Sequence, residues 1–183
     1  MQTYSGYYSS PIGTLVIQAT EQAVLSVAFS GNIPRTSVQA SQAEPSERTI
    51  PSEYAENSEH AEPCPMLKRC LDELDEYFSG RRTEFSVETT LQGSPFEKMV
   101  WRELQRIPFG ATASYAEIAA RLGNKRAIRA VGNAAAKNPV AILIPCHRMI
   151  GSGGALTGYA GGLARKEWLL QHEAGNPTQA TLF

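Results

Sequence analysis

Cys146 and His147 stand side by side in the stretch ILIPCHRMIG (142–151), where an apolar run ends at Pro145. A thiol beside an imidazole is equipped for nucleophilic attack. The thiolate is the reactive form, a free cysteine is only partly ionised at neutral pH, and a neighbouring base or cation must lower its pKa. Adjacent residues do not face each other on a helix or a strand. Cys146 and His147 therefore need an irregular backbone or a bridging water to communicate. The competing reading of Cys146 is a small core residue, so the rest of the chain has to decide. Cys70 falls on the apolar stripe of a predicted helix, whereas Cys64 lies between two prolines with no structural explanation. His60, Cys64 and Cys70 are too irregularly spaced to make a convincing ligand set, and no metal or other cofactor is expected. Three cysteines cannot all pair, which suggests a reducing compartment.

Two groups of elements have to position this pair. In the first, GTLVIQAT (13–20) and AVLSVAFS (23–30) are β-rich runs separated by Glu21-Gln22 and read as a hairpin, with YSGYYSS (4–10) as an added edge strand. Residues 31–63 lack apolar periodicity, are rich in Ser, Glu, Pro and Ala, and read as a long mobile acidic loop. MLKRCLDELDEYFSG (66–80) then reads as a helix, with Met66, Leu67, Cys70, Leu71, Leu74 and Phe78 near helical spacing.

In the second group, Ser94, Pro95 and Glu97 make a capping box with proline at the first helical position, and Phe96, Val100, Trp101, Leu104 and Ile107 form the buried stripe. Ser114 and Glu117 repeat the box, and Gly123 supplies the C-terminal turn. A second helix follows over 126–137 and stops at Asn138-Pro139. Two short helices joined by a glycine turn predict a helix-turn-helix. Residues 140–144 (VAILI) read as a short buried strand leading into Cys146. Residues 161–173 read as a closing amphipathic helix with Leu163, Trp168, Leu169 and Leu170 largely inward. The expected fold class is α+β: an N-terminal domain of small β-sheet plus helix over 1–90, then a mostly helical domain with the helix-turn-helix over 91–183.

Charge divides at the same boundary. Residues 1–93 carry 6 Lys+Arg against 13 Asp+Glu, and residues 94–183 carry 11 against 5. Only the second half is suited to a polyanion. On its second short helix Ile128, Val131 and Ala135 cluster toward the core, and Arg126, Arg129, Asn133 and Lys137 share a flank, with Ala127, Ala130 and Ala134 along the border. Small side chains beside a basic flank let the helix backbone approach a phosphate-lined groove. Few of its side chains are long enough to read base edges, so weak sequence preference is expected. No apolar run approaches the roughly 20 residues that cross a bilayer, and the N-terminus has neither a basic start nor an apolar core, so no signal peptide and no membrane partner are expected.

IPCHRMIG, RAVGNAAAKNPV and GYAGGLARKEWLLQHE, in this order and spacing, closely resemble the O6-alkylguanine-DNA alkyltransferases. The match runs from about Ser94 to Glu173, half the chain; the first half fits the family's variable first domain loosely. The resemblance implies direct repair: the protein binds double-stranded DNA, flips out a guanine alkylated on O6 (or O4-alkylthymine) and takes the alkyl group irreversibly onto its own cysteine, once per molecule. By this likeness Cys146 is the acceptor, His147 activates it through a water, Glu173 orients His147, and Asn138 holds the turn before the cysteine. Tyr115 resembles the phenol that presses on the DNA backbone and donates to the departing guanine, and Arg129 the finger that enters the stack. Asn124, Ala127, Ala130 and Ser152 resemble further DNA contacts, and Met149, Tyr159 and Ala160 the base pocket. Met149 departs from the family's usual Val, and Thr157-Gly158 fits the microbial branch, whose pocket is expected to take larger alkyl groups. A monomer working in the cytoplasm on the nucleoid (in the nucleus, for a eukaryote) is implied, with cooperative assembly on DNA left open.

Three rivals use the same residues differently. An alkyltransferase-like damage sensor shares the fold but lacks the acceptor cysteine, which is present here. A cysteine hydrolase would turn over and would need an acyl pocket rather than a basic face. A helix-turn-helix regulator would usually need a dimer and a base-reading helix.

Overall fold

Three antiparallel strands, β1 (Tyr4–Ser10), β2 (Gly13–Ala19) and β3 (Val24–Phe29), form a meander in that order. The computed structural model to which they belong describes residues 2–32 and 64–175. Leu15 lies opposite Phe29, and Tyr7 opposite Val16. Leu15, Val16 and Ile17 are all buried, so the central strand is covered on both faces. The Glu21-Gln22 turn is pinned by the Thr20 hydroxyl, which accepts from the backbone N–H of Gln22 and of Ala23. A short 3-10 turn, Ser30–Asn32, follows β3. The remainder of the predicted acidic loop, 33–63, and with it His60, lies outside the described residues.

Helix α1 (Pro65–Phe78) packs on the sheet through Leu67, Cys70, Leu74 and Tyr77, a 3-4-3 spacing. This corrects the sequence reading, which turned Phe78 inward and passed over Tyr77; Phe78 is only half-buried, stacked on Tyr8. Cys64 acquires an explanation: it immediately precedes the helix, is buried, and its thiol lies 3.2 Å from the Thr20 carbonyl.

The exposed edge of β3 is covered by the rest of the chain. Val24 exchanges backbone hydrogen bonds with Glu88 and Thr90, and Val27 with Pro139 and Ala141. An edge strand left open would invite pairing with other chains; here it joins the two halves instead. Helix α2 (Pro95–Gln105) has the predicted capping box of Ser94 and Glu97. The two-residue β4 (Ala113–Ser114) leads into α3 (Tyr115–Arg121), whose box is Ser114 and Glu117. Gly123, at φ +78°, makes the left-handed turn toward α4 (Ile128–Ala136). The Trp101 indole donates to the Ala134 carbonyl at 2.8 Å and locks α2 to α4. Strand β5 (Met149–Ile150) pairs in parallel with β4, and α5 (Leu163–Glu173) closes the fold.

Three expectations in this half are corrected. Residues 140–144 are buried except for half-buried Ala141, but form a tight turn with isolated bridges rather than a strand, because Ile142 takes φ +73° and reverses the chain. Ile128 is 43% exposed, since α4 begins only there and its first turn projects beyond the core. Leu163 is 48% exposed for the same reason at the start of α5. Among the described residues no helix is long and apolar enough to cross a membrane.

Candidate active site

The irregular backbone that an adjacent Cys–His pair requires is present. Cys146–Arg148 form a single 3-10 turn after Pro145, and all three are buried. Asn138, at the end of α4, holds the approach to it. Its amide Nδ2 donates to the Ile144 carbonyl at 2.8 Å and to Cys146 Sγ at 3.3 Å, while its Oδ1 accepts from Val140 N at 3.1 Å. One side chain thus spans the reversed turn and touches the sulfur. Burial pushes the Cys146 thiol up; the Asn138 hydrogen bond, the backbone N–H groups of Cys146 and His147, and the Lys166 charge oppose this without overturning it. The resting sulfur is therefore a neutral thiol, although the sequence reading called for a neighbour that lowers its pKa. The thiolate has to be made on demand.

The group that can make it is His147. Its Nε2 lies 2.8 Å from Glu173 Oε1. Glu173 is the hub of the site: it also accepts from Arg148 Nε at 2.8 Å and Arg148 NH2 at 3.0 Å, from the Tyr77 hydroxyl at 2.8 Å and from Gly110 N at 3.2 Å. Burial pushes its carboxyl up, but the hydrogen bonds and charges of His147 and Arg148 outweigh burial and bring it down to about 2. An ionised carboxylate only accepts, so His147 Nε2 carries the proton and Nδ1 is left as the bare nitrogen. Nδ1 is buried and has no hydrogen-bond partner. Burial lowers the imidazole pKa; the hydrogen bond and charge of Glu173 raise it in part, and Arg148 and Lys166 push it down again. His147 is neutral at neutral pH, the state a general base must have.

Beside the sulfur lies the loop between β5 and α5. The Tyr115 hydroxyl donates to the Thr157 carbonyl at 3.1 Å and the Gly158 carbonyl at 3.2 Å, and the buried Lys166 ammonium donates to the same two at 2.6 and 3.4 Å. The Tyr159 ring packs edge-on against Phe29, and its hydroxyl is buried without a partner. Burial, then the charge that Cys146 carries once ionised, pushes that phenol well up, so it remains a donor. Gly161 fits only as glycine, because a Cβ there would sit 2.6 Å from Tyr159 and 2.8 Å from Phe29. Arg165 ties this loop to the first half: it donates to the Ile12 and Gly161 carbonyls and lies over the Phe29 ring.

The remaining predicted residues are spread around this centre. Met149 is fully buried in the core. Ala160 is exposed on the loop, and Ser152 is exposed in a 3-10 turn, Ser152–Gly154. Arg129 and Ala130 are exposed on α4, with half-buried Ala127 just before it. Asn124 is exposed, and its Oδ1 accepts from Arg126 N, shaping the turn before α4. Residues 118–137 hold Arg121, Lys125, Arg126, Arg129 and Lys137 and no acid. Lys137 departs from the predicted basic flank, since its ammonium is tied to Glu97 at 2.7 Å. Among the described residues no group of three His, Cys, Asp or Glu could hold a metal ion.

Known proteins give this arrangement a context. Two family models match: "6-O-methylguanine DNA methyltransferase, ribonuclease-like domain" over residues 3–91 and "6-O-methylguanine DNA methyltransferase, DNA binding domain" over residues 95–175. A Methanosarcina acetivorans protein named methylated-DNA–protein-cysteine methyltransferase is 38% identical over 170 residues, covering 93% of this chain and 97% of its own. This chain belongs to the methylated-DNA–protein-cysteine methyltransferase family. A second member, from Mycobacterium bovis, is 46% identical over 138 residues, 74% of this chain and 84% of its own. The crystal structure of Mycobacterium tuberculosis OGT in complex with DNA matches with a TM-score of 0.74 at 37% identity, covering 93% of this chain and 92% of that one.

For this methyltransferase-family chain, sequence reasoning missed three residues of the site. Lys166 and Glu173 are seven apart and share a helix face with Leu169, a signal that was present. Tyr77 continues the spacing of Leu67, Cys70 and Leu74. Arg148 carried no such signal; an arginine after a Cys-His pair reads as surface until the carboxylate that binds it is known.

Proposed function

We propose that Cys146 is the alkyl acceptor of a single-turnover DNA repair reaction acting on O6-alkylguanine, and by the same chemistry on O4-alkylthymine. The observation that carries this reading is the buried Cys146–His147–Glu173 constellation. An amide touches the sulfur, and an imidazole with a bare Nδ1 is held in place through Nε2 by a carboxylate 2.8 Å away. His147 Nδ1 takes the thiol proton, through one water where the two atoms are not in direct reach. The thiolate attacks the alkyl carbon; the S–C bond forms and the C–O6 bond breaks. The electron pair goes onto the guanine ring, which takes a proton from the Tyr115 hydroxyl; the proton that His147 removed from the thiol is returned through water to the tyrosinate, so imidazole and phenol both end neutral. Electrostatic help at the atom where charge develops is among the larger contributions to catalysis. The thioether has no good leaving group, so each molecule reacts once.

The base has to leave the duplex to reach a buried sulfur, at a cost of a few kcal/mol that a weakened alkyl–guanine pair reduces. In this reading the helix-turn-helix grips the phosphates with little sequence preference, Arg129 fills the gap, and Asn124, Ala127, Ala130 and Ser152 line the DNA. Tyr159, Ala160 and the Met149 backbone border the extruded base. Residues 1–90 and 91–183 are the two domains, and the protein acts as a monomer in the cytoplasm, where the chromosome of a microbe lies. The test is mass spectrometry after incubation with an oligonucleotide carrying O6-methylguanine. The expected result is one methyl group per protein, on the peptide containing Cys146. Catalytic turnover of excess substrate, or a methyl group on another residue, would overturn the reading.

A further inference from the structure

Helix α1 of the first half reaches the catalytic carboxylate directly. The Tyr77 hydroxyl, on α1, donates at 2.8 Å to Glu173 Oε1, the same oxygen that His147 Nε2 meets at 2.8 Å. Tyr77 is fully buried, and its ring is fixed by edge or tilted contacts with Phe85, Phe109 and His172. Its backbone carbonyl accepts from His172 Nε2 at 2.8 Å. The residue is therefore anchored at both ends to the last turn of α5. We infer that Tyr77 is a positioning residue for the base: by sharing Glu173 Oε1 with His147 it limits how strongly the carboxylate holds an imidazolium, and so keeps His147 neutral and ready to accept the thiol proton.

This role for Tyr77 rests on alkyl transfer to Cys146 through His147 and adds a function for the N-terminal half. A hydrogen bond to a carboxylate spreads its charge and weakens its pull on a second partner. The groups facing His147 are Glu173 and Lys166 from α5, Cys146 and Arg148 from its own turn, and Tyr77, through Glu173, from α1. Arg148 and Tyr77 both draw on the carboxylate, and only Tyr77 can lose its donor without leaving a buried charge unpaired. Burial and the Glu173 charge push the Tyr77 phenol well up, so it remains a donor across the working pH range.

Removing that donor concentrates charge on Oε1, raises the His147 pKa and moves the acid limb of the reaction to higher pH. The test uses the full-length chain as wild type and Tyr77→Phe, which retains the ring. The single-turnover rate is followed from pH 5 to 9 with a saturating single-stranded oligonucleotide carrying one O6-methylguanine. The His147 ring nitrogens are titrated by NMR in the unreacted protein. The expected result is an acid limb and a His147 titration both moved up by roughly half a pH unit, so that the variant is about threefold slower on the limb and converges on wild type at high pH. Glu73→Gln, a change elsewhere on α1, controls for lost stability and should move neither curve. Superimposable curves, or a rate loss equal at every pH with the His147 titration unmoved, would overturn the inference. Should wild type fail to methylate Cys146, the repair reading fails, while the NMR titration still tests Tyr77.

Discussion

Glu73 and Glu173 lie in opposite halves of the chain, and both are buried carboxylates kept ionised by their neighbours. Glu73, on α1, accepts from Ser86 N at 2.8 Å, Val87 N at 3.3 Å, the Ser86 hydroxyl and Arg69 Nε at 3.3 Å, with Arg82 at 3.8 Å. Burial pushes its carboxyl up, and the Ser86 hydrogen bonds, Arg82 and the Val87 N–H outweigh burial and hold it below the ordinary range. Glu173 is solved by the same physics with Arg148, Tyr77 and Gly110 N. Each satisfies its lone pairs, as a buried carboxylate must. The difference is one partner. Every donor on Glu73 is an amide, a hydroxyl or a guanidinium, and none titrates near neutrality. One donor on Glu173 is an imidazole, which does. A loop clamp becomes a base when one ring is added to it.

Breaking the chemical side entirely should have the largest effect. Cys146→Ala is expected to abolish methyl transfer by intact mass while gel-shift binding to duplex DNA persists; a variant that still gains mass would end the acceptor role. Glu173→Gln tests the comparison directly. It removes the charge that orients His147 and neutralises Arg148, and general-base contributions run to about 10²–10⁴-fold, so a loss of about a hundredfold or more in single-turnover rate is expected. The orphaned Arg148 should cost roughly 3–5 kcal/mol of stability. Glu73→Gln should destabilise by about 1–3 kcal/mol yet leave the rate per folded molecule unchanged. Equal rate losses in the two variants would erase the distinction between them.

Acid unfolding sharpens the contrast on a thermodynamic axis. The folded Glu173 carboxyl sits at about 2 against an ordinary 4.5. Its contribution, on the order of 3 kcal/mol, is complete above about pH 4.5 and is lost as pH falls toward 2. Urea melts at pH 6, 4 and 3 should show this slope, flattened in Glu173→Gln; an undiminished slope there would assign the acid sensitivity elsewhere. Arg129→Ala should slow repair in duplex DNA by roughly tenfold, a part of the cost of unstacking, and spare the free alkylated base; equal losses on both would remove the finger role. Smallest of all, Lys137→Ala breaks an exposed pair with Glu97 and should leave the melting temperature unresolvably changed, because solvent screens such pairs.

Much of the scaffold was legible because it is written locally. Both capping boxes, the glycine turn after α3 and the strand pairs follow from residues within a few positions of one another. Cys146, His147, Asn138 and Glu173 were legible because they sit in a stretch that resembles a known family. The misreadings came from long-range packing. Residues 140–144 are apolar enough for a strand, yet Asn138 folds them into a turn. Ile128 has core chemistry but lies where α4 leaves the core. Tyr77 looks like any helix-face aromatic until Glu173, 96 residues away, accepts its hydroxyl.

Ile142 carries one more consequence. A branched side chain at φ +73° costs of the order of 1–2 kcal/mol, and the usual route to a sturdier protein would be to install glycine there. Ile142 is 1% exposed, however, and burying an isoleucine contributes about 1.5–3 kcal/mol. Attempts to thermostabilise this protein by relaxing the kink ahead of the reactive sulfur should therefore hollow out the ground beneath it. A stability screen would discard the one replacement that backbone geometry alone recommends.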